Sequence, residues 1–74
     1  MTELNWIPLD SSTVAEAAFD SETESIYARF VNGGTYRYDE CPPHAWTEFT
    51  APETSPGKYV HTDLKFKPTT KLED

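Results

Sequence analysis

The chain has 74 residues, with 13 acidic against 6 basic side chains and a net charge of −7. This length holds one domain, with about 60% of its unfolded surface buried on folding, and the charge opposes a sequence-independent grip on nucleic acid. One cysteine excludes an internal disulfide, and no apolar run suits a signal peptide or membrane helix, so a reducing, cytoplasmic setting is expected.

Asn5 to Leu9 reads as extended chain, because Pro8 biases Ile7 away from the helical region. Asp10-Ser11-Ser12 is a turn. Thr13 to Phe19 carries Val14, Ala17 and Ala18 at a helical spacing. Only about seven residues separate its turn signals, however, so a strand is predicted. After a polar connector, Ser25 to Val31 alternates, with Ile26, Ala28 and Phe30 on one face and Tyr27, Arg29 and Val31 on the other. Asn32-Gly33-Gly34 marks a hairpin, and Thr35 to Asp39 is its return strand. Pro42-Pro43 opens a helix whose inner face is Ala45, Trp46 and Phe49. Ser55-Pro56 caps a second, with Tyr59, Val60 and Leu64 inward, although Gly57 weakens its first turn. Pro68 stops it, and residues 68–74 read as a solvated tail. The expected fold is α+β: a three-stranded antiparallel meander followed by two short helices on one face. It forms a single domain over 1–74, with a core at about 6–67 built largely on aromatic side chains.

Loop length decides which way the tyrosines point. A two-residue loop pairs Phe30 with Thr35 and divides the apolar residues between both faces. A three-residue loop, Asn32-Gly33-Gly34 with Gly34 left-handed, pairs Phe30 with Tyr36 and Ala28 with Tyr38. All five then share a face, and at roughly 25 cal/mol per Å² their burial outweighs any turn preference. Tyr36 and Tyr38 are therefore expected in the core, and not as a base-stacking platform. Arg29 then opposes Arg37 on the other face, where like charges repel.

These residues resemble the KTSC domain family, named from the carboxyl-terminal extension of some lysyl-tRNA synthetases and also found as small bacterial and phage proteins. Its pattern runs Ser-Ser, aromatic-Asp, Phe-x-x-Gly-x-x-Tyr-x-Tyr-x-x-Val-Pro, a helix aromatic, then Ser-x-Gly. Ser11-Ser12, Phe19-Asp20, Phe30, Gly33, Tyr36, Tyr38, Pro42, Trp46, Ser55, Gly57 and Tyr59 match it, while Cys41 stands where the valine is usual. These matched residues are read as structural. The resemblance spans about Leu9 to Phe66 and implies RNA binding by association with the synthetase.

Cys41-x-x-His44 with His61 offers three ligands, too few for a closed zinc site. Cys41 is expected to pack as a small apolar residue. No catalytic constellation stands out, and no metal, cofactor or membrane partner is expected. The candidate ligand-binding residues are Arg29, Arg37 and Tyr27 on the exposed sheet face, with Lys58, Lys65 and Lys67 near the carboxyl terminus. The expected function is a small non-enzymatic module that binds RNA or a nucleotide-containing ligand. The alternative is a protein-interaction module of a bacterial or phage accessory protein, docking its acidic surface on a partner. Two open sheet edges also allow a homodimer through the first or third strand.

Overall fold

In the computed structural model, which describes residues 4–72, five antiparallel strands pair in the order of the chain. They are β1 (Ile7–Pro8), β2 (Val14–Asp20), β3 (Ser25–Phe30), β4 (Thr35–Tyr38) and β5 (Thr69–Leu72). Between β4 and β5 come α1 (Pro43–Phe49), α2 (Pro56–Thr62) and a single 3-10 turn (Leu64–Phe66). The α+β class, the antiparallel sheet and the two helices agree with the sequence. The strand number does not: five strands replace three. The extended start becomes β1, with Ile7 opposite Ala17 and Pro8 opposite Glu16. The segment read as a tail returns as β5, with Lys71 opposite Tyr36 and Thr70 opposite Arg37. Thr69, Thr70 and Lys71 stay exposed there, so no apolar alternation announces the strand. Both strands expected to be sheet edges, β2 and β4, are covered, and any dimer through them is closed off. Residues 73–74 of the expected tail lie outside the described residues. Among the described residues no helix is long and apolar enough to cross a membrane.

Short polar side chains set the turns. Ser11 Oγ accepts from the backbone N–H of Thr13 at 3.1 Å and of Val14 at 3.2 Å, which starts β2. Asp20 Oδ1 accepts from Glu22 N–H at 2.9 Å, which opens the β2–β3 turn. The β3–β4 loop is three residues long, as expected, but it is Val31-Asn32-Gly33. Gly33 N–H donates to Phe30 O at 3.1 Å, and Phe30 N–H donates to Gly34 O at 3.0 Å. Gly34 has positive φ as expected, 93°, and so does Gly33 at 99°, the residue that closes the loop. Val31 leaves the ladder with β4 because its N–H donates instead to Thr13 O on β2. Phe30 therefore sits across from Gly34, Ala28 pairs with Tyr36, and Ile26 pairs with Tyr38. The register differs from expectation by two residues. An even shift keeps every side chain on its expected face. It does separate the arginines: Arg29 pairs with Thr35 and Arg37 with Tyr27, so they are not opposed.

The even face of β3 and β4 meets the helices. Val14, Ala17, Ile26, Ala28, Tyr38, Cys41, Ala45, Phe49, Val60 and Leu64 form one buried cluster, and Leu9, Phe19, Phe30, Tyr36, Trp46 and Tyr59 pack on it. Complete burial of Phe49, Ile26 and Leu64 is worth about 1.5–3 kcal/mol each. Trp46 of α1 stacks on Phe19 of β2, centroids 5.7 Å apart, and ties the helix to the sheet. Ser55 stands at the N-cap of α2 without a side-chain cap bond, so its hydroxyl does not explain the helix start. Pro56 in the first turn does.

Gly57 carries a constraint that its place in a helix hides. A Cβ at this position would lie 2.8 Å from both Cβ and Oγ1 of Thr13. Helix propensity alone gives Gly57→Ala a gain of about 1 kcal/mol. The contact reverses the sign. Gly57→Ala should destabilise by about 1–3 kcal/mol, as overpacked sites do. Thermal unfolding checks this, with the exposed neighbour Lys58→Ala staying within about 0.5 kcal/mol of the parent.

Candidate functional site

Odd-numbered residues of β3 and β4 build the face away from the helices. Across it run the rows Ala18–Tyr27–Arg37 and Glu16–Arg29–Thr35. Trp6, just before β1, joins this face. Its ring meets Tyr27 edge-on at 6.3 Å with an interplanar angle of 71°. The Arg29 guanidinium stands 4.5 Å from the Trp6 ring centroid, an attractive placement over the negative π-face. Ala18, on the same side, is fully buried. The centre of this face is thus an aromatic pair with an arginine above it.

Both arginines have a carboxylate at hand. Arg29 Nη1 donates to Glu16 Oε1 across β2 and β3. Arg37 Nε lies 3.2 Å from Asp39 Oδ1, and that oxygen also accepts the Ser25 hydroxyl at 2.7 Å. The Arg37 Nε–H is buried yet not aligned on that carboxylate, so it forms an ion pair without a hydrogen bond. Such partly exposed pairs are worth about 0–1 kcal/mol and yield to a better anion.

The structure gathers Tyr27, Arg29 and Arg37 on one surface and leaves the expected lysines elsewhere. Lys58 lies in α2, Lys65 in the 3-10 turn and Lys67 just after it, on elements packed on the other face of the sheet. Lys65 Nζ sits 5.1 Å from the ring centroid of Phe66, its neighbour in the chain. Trp6 was missed as a site residue. Pairing the extended start with Ala17 and Glu16 is the step that would have brought it beside Tyr27.

The matched family residues take structural places on the other face. Tyr38 is buried, and Tyr36 is half-buried with its ring edge-to-face on Phe30 at 5.4 Å. Burial, and then the neighbouring Tyr36, push the Tyr38 phenol up from its ordinary pKa. Cys41 is fully buried, and its Sγ–H donates to Tyr38 O at 3.3 Å. Burial pushes its thiol up as well, which keeps the nucleophilic thiolate scarce. Among the described residues no three His, Cys, Asp or Glu side chains gather where a metal ion would be held.

Residues 10–67 match the KTSC domain. The chain belongs to the KTSC domain family. A protein of Tsukamurella paurometabola is 34% identical over 58 residues, covering 78% of this chain and 85% of that relative. A crystal structure of a KTSC domain protein from Yersinia pestis superposes with a TM-score of 0.87, over 95% of this chain and 99% of that one. At 22% identity that likeness is one of fold. The KTSC pattern also gains physical content. Ser11 and Asp20 cap turns, Gly33 closes the hairpin, Gly57 admits Thr13, and the Tyr59 hydroxyl donates to Glu48 Oε1 at 3.1 Å.

Tyr59 makes the last point measurable. Burial, and then its hydrogen bond to Glu48, push its pKa from 10.0 up to about 12. The unfolded chain releases this proton first, so the stability it contributes is present below pH 10 and is lost as pH rises toward 12. Tyr59→Phe should flatten the fall in denaturant midpoint across that window. An unchanged slope would leave the Tyr59–Glu48 contact without energetic weight.

Proposed function

We propose that this KTSC domain is a non-enzymatic cytoplasmic module that binds single-stranded RNA or a nucleotide-containing partner on the open sheet face. The observation that supports it best is the Trp6–Tyr27 pair with Arg29 over the indole. Aromatic rings stack bases whatever their sequence, at about 1–3 kcal/mol per base, and guanidinium groups hold phosphates in a bidentate manner. The family's namesake in the synthetase extension points the same way. A net charge of −7 keeps such binding local and weak, since phosphates are attracted only where the arginines outweigh the acids.

A second reading has its own observation. Phe66 is 76% exposed in a strongly acidic protein, which suits an apolar anchor ringed by charge on a basic protein partner. A pull-down with and without nuclease separates the two.

For the RNA reading, Trp6→Ala and Arg29→Ala should each weaken binding of a short single-stranded oligonucleotide by about tenfold. Glu16→Gln frees Arg29 from its carboxylate and should strengthen binding by a few-fold. Fluorescence anisotropy at two salt concentrations checks both, and affinity should fall as salt rises. Binding indifferent to Trp6 and Arg29 would remove the open face from consideration.

A further inference from the structure

The helix-side face holds a groove of about 510 Å³ where the β3–β4 loop approaches α2 and β5. Phe30, Tyr36 and Tyr38 form its floor, and Asn32, His61 and Lys71 stand around it. Its origin is the register. Lys71 pairs with Tyr36 across β4 and β5, so the lysine shares the helix-side face with the tyrosine. Three-residue closure at Gly33 leaves Phe30 and Tyr36 edge-to-face at the end of the sheet, where α2 no longer covers them fully.

The lining is unusual for this protein. With 13 acidic residues in the chain, not one of the ten lining residues carries a carboxylate, while Lys71 supplies a cationic group and His61 an imidazole that can hydrogen-bond. The neighbouring groove between α1 and the 3-10 turn has Glu40, Glu48 and Asp63 in its wall and repels anions. A third, at about 150 Å³, is too small for a ring with substituents. Of these three, the first alone combines aromatic side chains, a lysine without opposing carboxylates, amide and hydroxyl groups and a suitable volume.

The geometry points to a binding site for a small anion carrying a planar ring, of the size of a nucleoside monophosphate. Because Phe30 and Tyr36 stand edge-to-face, the ring lies on one of them and meets the other at an edge, while the anionic group meets Lys71 and hydrogen-bonds to His61. This site is on the opposite face of the sheet from the Trp6–Tyr27–Arg29 surface, so either can fail while the other stands.

AMP, adenosine and inorganic phosphate serve as probes, each titrated into the full-length ¹⁵N-labelled chain. AMP should bind saturably and shift the amides of Asn32, Tyr36, His61 and Lys71. Adenosine and phosphate, each holding half of the recognised chemistry, should bind at least about tenfold more weakly. Lys71 and His61 are exposed, so Lys71→Glu and His61→Ala should fold normally and weaken AMP by about tenfold. Glu53→Gln, exposed between the two helices and outside the groove, should leave AMP binding unchanged. AMP shifts centred on Tyr27 and Arg29, equal binding by phosphate alone, no saturable binding, or indifference to both groove variants would each overturn the proposal.

Discussion

The packing of Phe49 and Leu64 onto Ile26, Ala28 and Tyr38 governs everything else in this molecule. These side chains form the centre of the only extended buried cluster among the described residues. They come from the middle strands, the first helix and the turn after the second. Because the sheet is one layer and the helices are short, most of the fully buried apolar area among the described residues lies on this face, with Ala18 on the open side an exception. A slip of β4 by one residue would turn Tyr38 out and bring Arg37 in, at a cost of several kcal/mol for the uncompensated charge. A slip of two residues costs far less, because it only changes which core residues are neighbours. The fold is therefore strict about parity and more tolerant about register.

That parity also divides the chemistry between two surfaces. On the helix side, one groove is lined without a carboxylate, while its neighbour carries Glu40, Glu48 and Asp63. On the open side, each arginine has its own carboxylate, Glu16 or Asp39, so the surface is locally neutral in a protein that is acidic overall. Partly exposed ion pairs are weak, and so this neutrality is a loose one. Each arginine faces a single carboxylate, and Arg29 also stands over the Trp6 indole.

The parts of this architecture with a local cause were readable from the residues. Pro42-Pro43 and Ser55-Pro56 place both helices, and Gly33 places the hairpin, because proline and glycine restrict the backbone directly. Strands β1 and β5 were not readable as strands: Pro8 removes a donor, and Thr69 to Lys71 stay exposed, so their pairing comes from the sheet they join. The loop began one residue earlier than expected because Val31 bonds to Thr13, a contact between distant segments that turn statistics do not contain. A bulge in β2 explains the helical look of its sequence. The register shifts between Val14 and Glu16, which puts Val14 and Ala17 on the same face three residues apart. The site was half legible. Tyr27, Arg29 and Arg37 follow from alternation, whereas Trp6, His61 and Lys71 need the partners of β1, α2 and β5.

The two outer strands differ in a way that bears on assembly. At the β1 edge Leu9 N–H already donates inward to Ala15 O, so the nitrogen that would point outward next to it is that of Pro8, which has no hydrogen to give. The β5 edge has no proline within it. Sheet extension by another molecule is thus one-sided. Two copies meeting through β5 would make a two-fold pair whose outer margins both carry Pro8. Indefinite stacking of edges, the usual hazard of a small open sheet, loses one ladder donor at the β1 margin.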